Sequence, residues 1–290
     1  MWNKKVTLFD IAIYFCLTAL CLSFLYPIII TVSLSFSDPK VLAHNNVSLL
    51  PMGFSLDSYK MLLADGRILK YYMNTIEYAA AGTVIMLLFT CMMAYPLTFS
   101  DFKGKKLITI ILMITMFFGG GLVPYYLVIR ALGMIDTIWV MIIPGAVSAW
   151  NIIIFKTFFL EIPLSLRESA FIDGAGHFRV LFKIIVPLSK PLIATFTLFS
   201  VVGYWNDFMT ALLFLRSDSK YPIQMLLRRM LVLLDYKDVK NSDLILLFNN
   251  ITTRTVKSAA VIITIAPILC VYPFLQKYFT KGILVGSVKA

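Results

Sequence analysis

Six stretches of this chain carry almost no charge, and each approaches or exceeds the length needed to cross a membrane. Ile11–Leu34, Tyr78–Phe99, Leu107–Ile129, Thr137–Phe155 and Ser258–Gln276 contain no Asp, Glu, Lys or Arg, and Pro191–Leu215 contains only Asp207. About 20 residues at a rise of 1.5 Å span the roughly 30 Å of hydrocarbon in a bilayer. Hydrocarbon offers backbone groups no hydrogen-bond partner, so such runs satisfy their own amides as helices. The expected fold class is an all-α integral membrane protein with six transmembrane helices.

Composition supports this reading and excludes others. The 290 residues are 60% hydrophobic and only 14% charged, with a mean hydropathy of +0.86, whereas soluble domains carry about 25% charge. A net charge of +11 raises the possibility of a nucleic-acid partner. However, Lys and Arg are scattered through the connecting segments, with no dense run and no aromatic-interleaved basic patch, which fits charges at helix ends and headgroup level. Cys16, Cys21, Cys91 and Cys270 all sit inside apolar runs and have neither metal-ligand spacing nor a disulfide framework.

Taken in order, residues 1–10 form a short N-terminus containing Lys4 and Lys5, and 11–34 the first span. That span exceeds the apolar core of a secretory signal, and Ser33-Leu34-Ser35-Phe36 makes a poor cleavage site, so it reads as uncleaved, with a kink at Pro27. Residues 35–77 read as a loop on one side of the membrane. The region 78–278 then holds spans at 78–99, 107–129, 137–155, 191–215 and 258–276, with a polar segment at 161–190 and a tail at 279–290. Gly119-Gly120-Gly121 and Pro124 loosen the third span, and Pro144-Gly145 lies inside the fourth. Six spans put both termini, the Lys103–Lys106 connection and segment 161–190 on one side. Lys and Arg divide evenly between the two sides, so loop length decides, and the side with the short loops is cytoplasmic.

The polar segment is amphipathic. Phe171, Ala175, Phe178, Phe182 and Ile185 recur at helical spacing, while Glu168, Asp173, Arg179 and Lys183 occupy other positions. Pro163 suits a first helical turn, and Gly174 suits a stop between two short helices. A short apolar stripe outside the bilayer needs a partner surface or the ends of neighbouring spans.

Glu168, Ala170, Gly174, Ile184 and Pro187 stand at the first, third, seventh, seventeenth and twentieth positions of this segment, with Ser169 and Val186 as mild departures. The pattern resembles the EAA signature of bacterial ATP-binding-cassette import permeases. The run from Glu168 through Ile172-Asp173-Gly174-Ala175 to Gly176 is similar to the carbohydrate-importer version. Tyr204-Trp205-Asn206-Asp207-Phe208 and the tail Lys281–Lys289 resemble the MalG-like, or LplC-like, subunit of type I importers, and Gly119–Tyr126 the oligosaccharide branch.

The resemblance implies a multi-pass permease subunit in the bacterial cytoplasmic membrane. It would work with a second, MalF-like or LplB-like permease, two cytoplasmic ATPase subunits that bind ATP and Mg, and an extracytoplasmic solute-binding protein. Glu168, Ser169, Ala170, Asp173, Gly174, Ala175, Ile184 and Pro187 would then form the ATPase-coupling surface. The chain is not expected to be an enzyme: Gly104-Lys105 lacks the rest of a phosphate-binding loop, so energy must come from another chain.

Asp207 is the second candidate. A carboxylate costs roughly 2.5–3.5 kcal/mol at a bilayer centre, and its place about 24 Å along its span puts it nearer the outer interface. Tyr204, Trp205, Asn206 and Asp207 are candidates for the translocation path, with pairing of Asp207 to a partner helix as the alternative. His44 and His177 have no neighbouring cluster that would make them catalytic, and Arg228-Arg229 is a solvated loop pair or a contact for the solute-binding protein. Two alternatives stand beside oligosaccharide import. One is an importer permease for another solute. The other is an ion-driven secondary transporter, although no internal repeat of that class is present.

Overall fold

A computed structural model describes residues 7–44, 48–64, 66–233 and 254–270. The helices are α1 (Leu8–Ser35), α2 (Pro39–His44), α3 (Asp57–Ala64), α4 (Arg67–Ala94), α5 (Lys105–Phe117), α6 (Leu122–Ala131), α7 (Trp139–Ile142), α8 (Ala149–Glu161), α9 (Leu164–Ile172), α10 (His177–Val180), α11 (Val186–Leu188), α12 (Lys190–Asn206), α13 (Met209–Phe214) and α14 (Ile223–Leu233), followed by α15 at 254–270. Among the described residues no sheet forms, and the one extended pairing is a bridge between Ser37 and Phe54. The chain is all-α. By length and composition, α1 and the helix from Arg67 to Thr98 are each able to cross a membrane, and the number rises to five if three bent helix pairs each count as one span. The end of the expected sixth span, the Asp235–Asp238 loop and the Lys281–Lys289 tail lie outside the described residues.

Two compact units emerge, 1–68 with 226–266 and 69–225 with 267–290. In the first unit, Thr7 caps α1 in a reciprocal capping box with Asp10. The helix continues through Pro27, and Thr31 Oγ1 donates to the Pro27 carbonyl. Helices α2 and α3 occupy the segment expected to be a loop. Tyr59 of α3 donates to Ser35 Oγ at 2.8 Å and stacks on Phe36.

The second unit departs from unbroken spans in three places. Helix α4 starts at Arg67, eleven positions ahead of the apolar run, because polar residues continue the helix as readily as apolar ones do. Between α5 and α6 the axis turns by 119° at the glycine triplet, where Gly121 has φ +79°, a region open to glycine at little cost. The run 137–155 holds α7, a break across Pro144-Gly145, and α8, which Ser148 caps and which runs on to Glu161. In the run 191–215, α12 stops at Asn206 and α13 restarts at Met209. Beneath these elements a cluster of Tyr95, Leu97, Ile152, Phe155, Phe159, Val180, Ile185 and Phe196 forms a core.

Candidate functional site

Helix α9 ends in a hydrogen-bonded stop encoded by Ile172-Asp173-Gly174-Ala175. The Gly174 amide donates to the Phe171 carbonyl at 3.0 Å and the Ala175 amide to the Ala170 carbonyl at 2.9 Å, with Gly174 at φ +77°. This is the Schellman arrangement, which favours glycine at its left-handed position. A Cβ at Gly174 would meet nothing within 4 Å, so the demand is conformational and not steric. Helix α10 begins at His177, passes into a π-helical turn at Leu181–Ile185, and ends in α11, which contains Pro187.

The stop breaks the expected apolar stripe. Phe171, Ala175 and Ile185 pack on the core, whereas Phe178 is 67% exposed and Phe182 40%. The reason is phase: four residues of turn between α9 and α10 re-aim everything after Ile172. The inward set is instead Ala170, Phe171, Ala175, Val180, Leu181, Ile184 and Ile185. Glu168, Ser169, Asp173, Gly174 and Pro187 lie on the outside, beside the exposed apolar side chains of Leu164, Ile172 and Phe178. Ser169 Oγ donates back to the Ser165 carbonyl. Arg167, which the sequence did not single out, is buried at 3% exposure. Its spacing to Ala170 and Phe171, i, i+3 and i+4, is the signal that could have placed it on the inner face.

The second candidate region is a cavity of about 550 Å³, in the ordinary range for ligand sites, lined among others by Tyr125, Trp150, Asn151, Ser200, Tyr204, Asp207 and Thr210. Asp207 is the one charged side chain among its lining residues. The carboxylate also has a local duty: Oδ1 accepts the Thr210 amide at 3.0 Å and so caps the restart of the chain as α13. Tyr204 Oη donates to the Ile142 carbonyl at 3.4 Å.

Trp205 and Asn206 do not line this cavity. Trp205 is 7% exposed and packs against Tyr72 with ring centroids 6.2 Å apart. Asn206 donates to the Val202 carbonyl and accepts from Gln224. The aromatic face beside Asp207 belongs to Trp150, 60% exposed on the first turn of α8, and to Tyr125. Among the described residues, no three of His, Cys, Asp and Glu come close enough to hold a metal.

Residues 79–285 match the family described as "Binding-protein-dependent transport system inner membrane component". The chain belongs to that family. Protein LplC of Bacillus subtilis (strain 168) is 42% identical to this permease over 264 residues, covering 91% of this chain and 88% of its own. The polygalacturonan/rhamnogalacturonan transport system permease protein YtcP of the same organism is 38% identical over 285 residues, covering 98% and 99%. In three dimensions the permease matches a chain in the crystal structure of a bacterial ABC transporter involved in the import of the acidic polysaccharide alginate. The TM-score is 0.88 at 33% identity, covering 96% of this chain and 99% of that one.

Proposed function

We propose that this permease imports oligosaccharides released from plant or bacterial polysaccharides, forming the translocation path together with a second permease. ATP is hydrolysed by two separate ATPase subunits, and an extracytoplasmic binding protein delivers the cargo. The family membership, the polysaccharide-linked names of YtcP and the alginate importer, and the cavity's combination of aromatic faces, hydroxyls and an amide all support this cargo class. The termini and the α9–α11 segment face the cytoplasm of a bacterial cell, in keeping with the short basic loops on that side.

The observation that carries the coupling role is the pairing of an anchored inner face with an unpartnered outer one on α9 and α10. Phe171, Ala175 and Ile185 tie the segment to the core, while Leu164, Ile172 and Phe178 stay exposed around Glu168 and Asp173. A short helix pair outside the bilayer with large apolar side chains facing outward is a docking surface for another protein. Glu168 then offers its carboxylate to a basic residue of the ATPase, and Gly174 sets the angle between the two helices.

The test uses the complete importer in proteoliposomes, with ATP hydrolysis and uptake of a labelled pectin hydrolysate measured on the same preparation. Glu168→Lys and Gly174→Val are expected to lose most uptake. Retained uptake in both would sink the coupling role.

A further inference from the structure

Arg167 is the one charged side chain that is buried among the described residues. It forms no ion pair there, and its Nε lacks a hydrogen-bond partner. Burying a cation without a carboxylate is costly, and an apolar side chain of similar volume commonly serves stability as well or better. Its persistence in the core face of α9 therefore calls for a role other than stability.

The guanidinium reaches from α9 to the turn that follows α4. Nη1 donates to Thr98 Oγ1 at 2.8 Å, and the Thr98 hydroxyl donates in turn to the Tyr95 carbonyl at 2.7 Å. Cζ sits 5.2 Å from the centre of the Phe99 ring, in cation–π range. The other arm of the segment meets the same ring: His177 of α10 lies edge-on to Phe99 at 5.3 Å and to Phe171 of α9 at 5.0 Å. Both helices of the exposed pair therefore converge on two consecutive residues, Thr98 and Phe99. Helix α4, which leads into them, carries Gly82 against Tyr204, a lining residue of the Asp207 cavity.

We infer that Arg167 is a positioning residue, and that the Arg167–Thr98–Phe99 contact is the strut through which displacement of the α9–α10 pair reaches α4 and the cavity wall. The inference rests on the coupling role proposed for that pair. A charge-assisted hydrogen bond is directional and resists shear between α9 and the Thr98 turn, where apolar packing alone allows sliding.

The experiment measures uptake of labelled pectin hydrolysate per ATP hydrolysed by the complete importer in proteoliposomes, together with its thermal unfolding. Arg167→Met is expected to assemble and unfold at or above the wild-type temperature, while uptake per ATP falls about tenfold. Thr98→Val should show the same loss, Thr98→Ser should keep the wild-type ratio, and Arg167→Met with Thr98→Val should be no worse than Arg167→Met alone. If Arg167→Met does not assemble, the Thr98→Val and Thr98→Ser pair decides. Wild-type ratios in Arg167→Met and Thr98→Val, alongside a lowered ratio in Glu168→Lys, would overturn the strut and leave the coupling role standing. Unchanged uptake in Glu168→Lys would remove the coupling role itself.

Discussion

A Cβ built on Gly82 would lie 2.2 Å from Cζ of Tyr204, and one on Gly145 would lie 2.9 Å from its Oη. Tyr204 thus occupies a socket formed where α4 and the α7–α8 break both lack a side chain. Gly82→Ala should destabilise the folded permease by about 1–3 kcal/mol, since the ring cannot yield without moving its helix. Thermal unfolding in detergent checks this, and Gly82→Ala should be well tolerated in a Tyr204→Ala background, giving a clear non-additive cycle. The Ala-Ala-Ala-Gly run around Gly82 reads in sequence as small-residue helix packing, which names no partner. Tyr204 and Asp207 were legible as candidates. Trp205 was misplaced because adjacency was weighed over helical phase: residues three apart share a face, whereas Trp205 points about 100° away from Tyr204.

Among the elements, the connection between α6 and α7 is held by one carboxylate. Asp136, at φ +56°, accepts the amides of Arg216 and Ser217 at 3.0 Å each and the Ser217 hydroxyl at 2.5 Å, and it pairs with Lys220 at 3.1 Å. Lys220 also donates to the Asp136 carbonyl. Asp tolerates the left-handed conformation better than most residues. The hydrogen bonds from Ser217, followed by those from Arg216 and Lys220, hold the carboxyl well below its ordinary 3.8. A depressed folded-state pKa means that the clamp is at full strength above that ordinary value and is lost as pH falls through the lowered one. Asp136→Asn should therefore cost about 1–3 kcal/mol at neutral pH, and the gap to wild type in unfolding temperature should narrow only in strong acid. No sequence signal pairs residue 136 with 216–220, because the contact depends on how far α12 and α13 carry the chain.

At the scale of the whole molecule, charge-free length was enough to locate the apolar helices and the all-α class. The breaks were less legible. Hydropathy sums side chains and carries no direction, so a run such as 107–129 looks the same whether it is straight or turned by 119° at its glycines. The segment from Glu168 to Pro187 could be recognised by its spacing, yet its inner face was misread because the stop at Gly174 resets the helical phase. The cavity draws Tyr125, Trp150 and Asp207 from separate stretches of the chain, which no local pattern foreshadows. In the assembled importer, Asp207→Asn and Trp150→Ala should each lower cargo-stimulated ATP hydrolysis while leaving basal hydrolysis intact. Unchanged stimulation in both would remove this cavity from the path.

The π-helical turn at Leu181–Ile185 closes its hydrogen bonds one residue farther along than an α-helix does, so it stores one extra position in the backbone. Beyond it lie Pro187 and the buried Ser189, whose hydroxyl donates to the Ile185 carbonyl at 2.8 Å. Loss of a single residue here would let the turn relax to α geometry and rotate everything downstream by about 100° relative to α9. The length of this segment is therefore as much a constraint as its composition: substitutions are accommodated one side chain at a time, whereas insertions and deletions turn the whole of α12 about its axis.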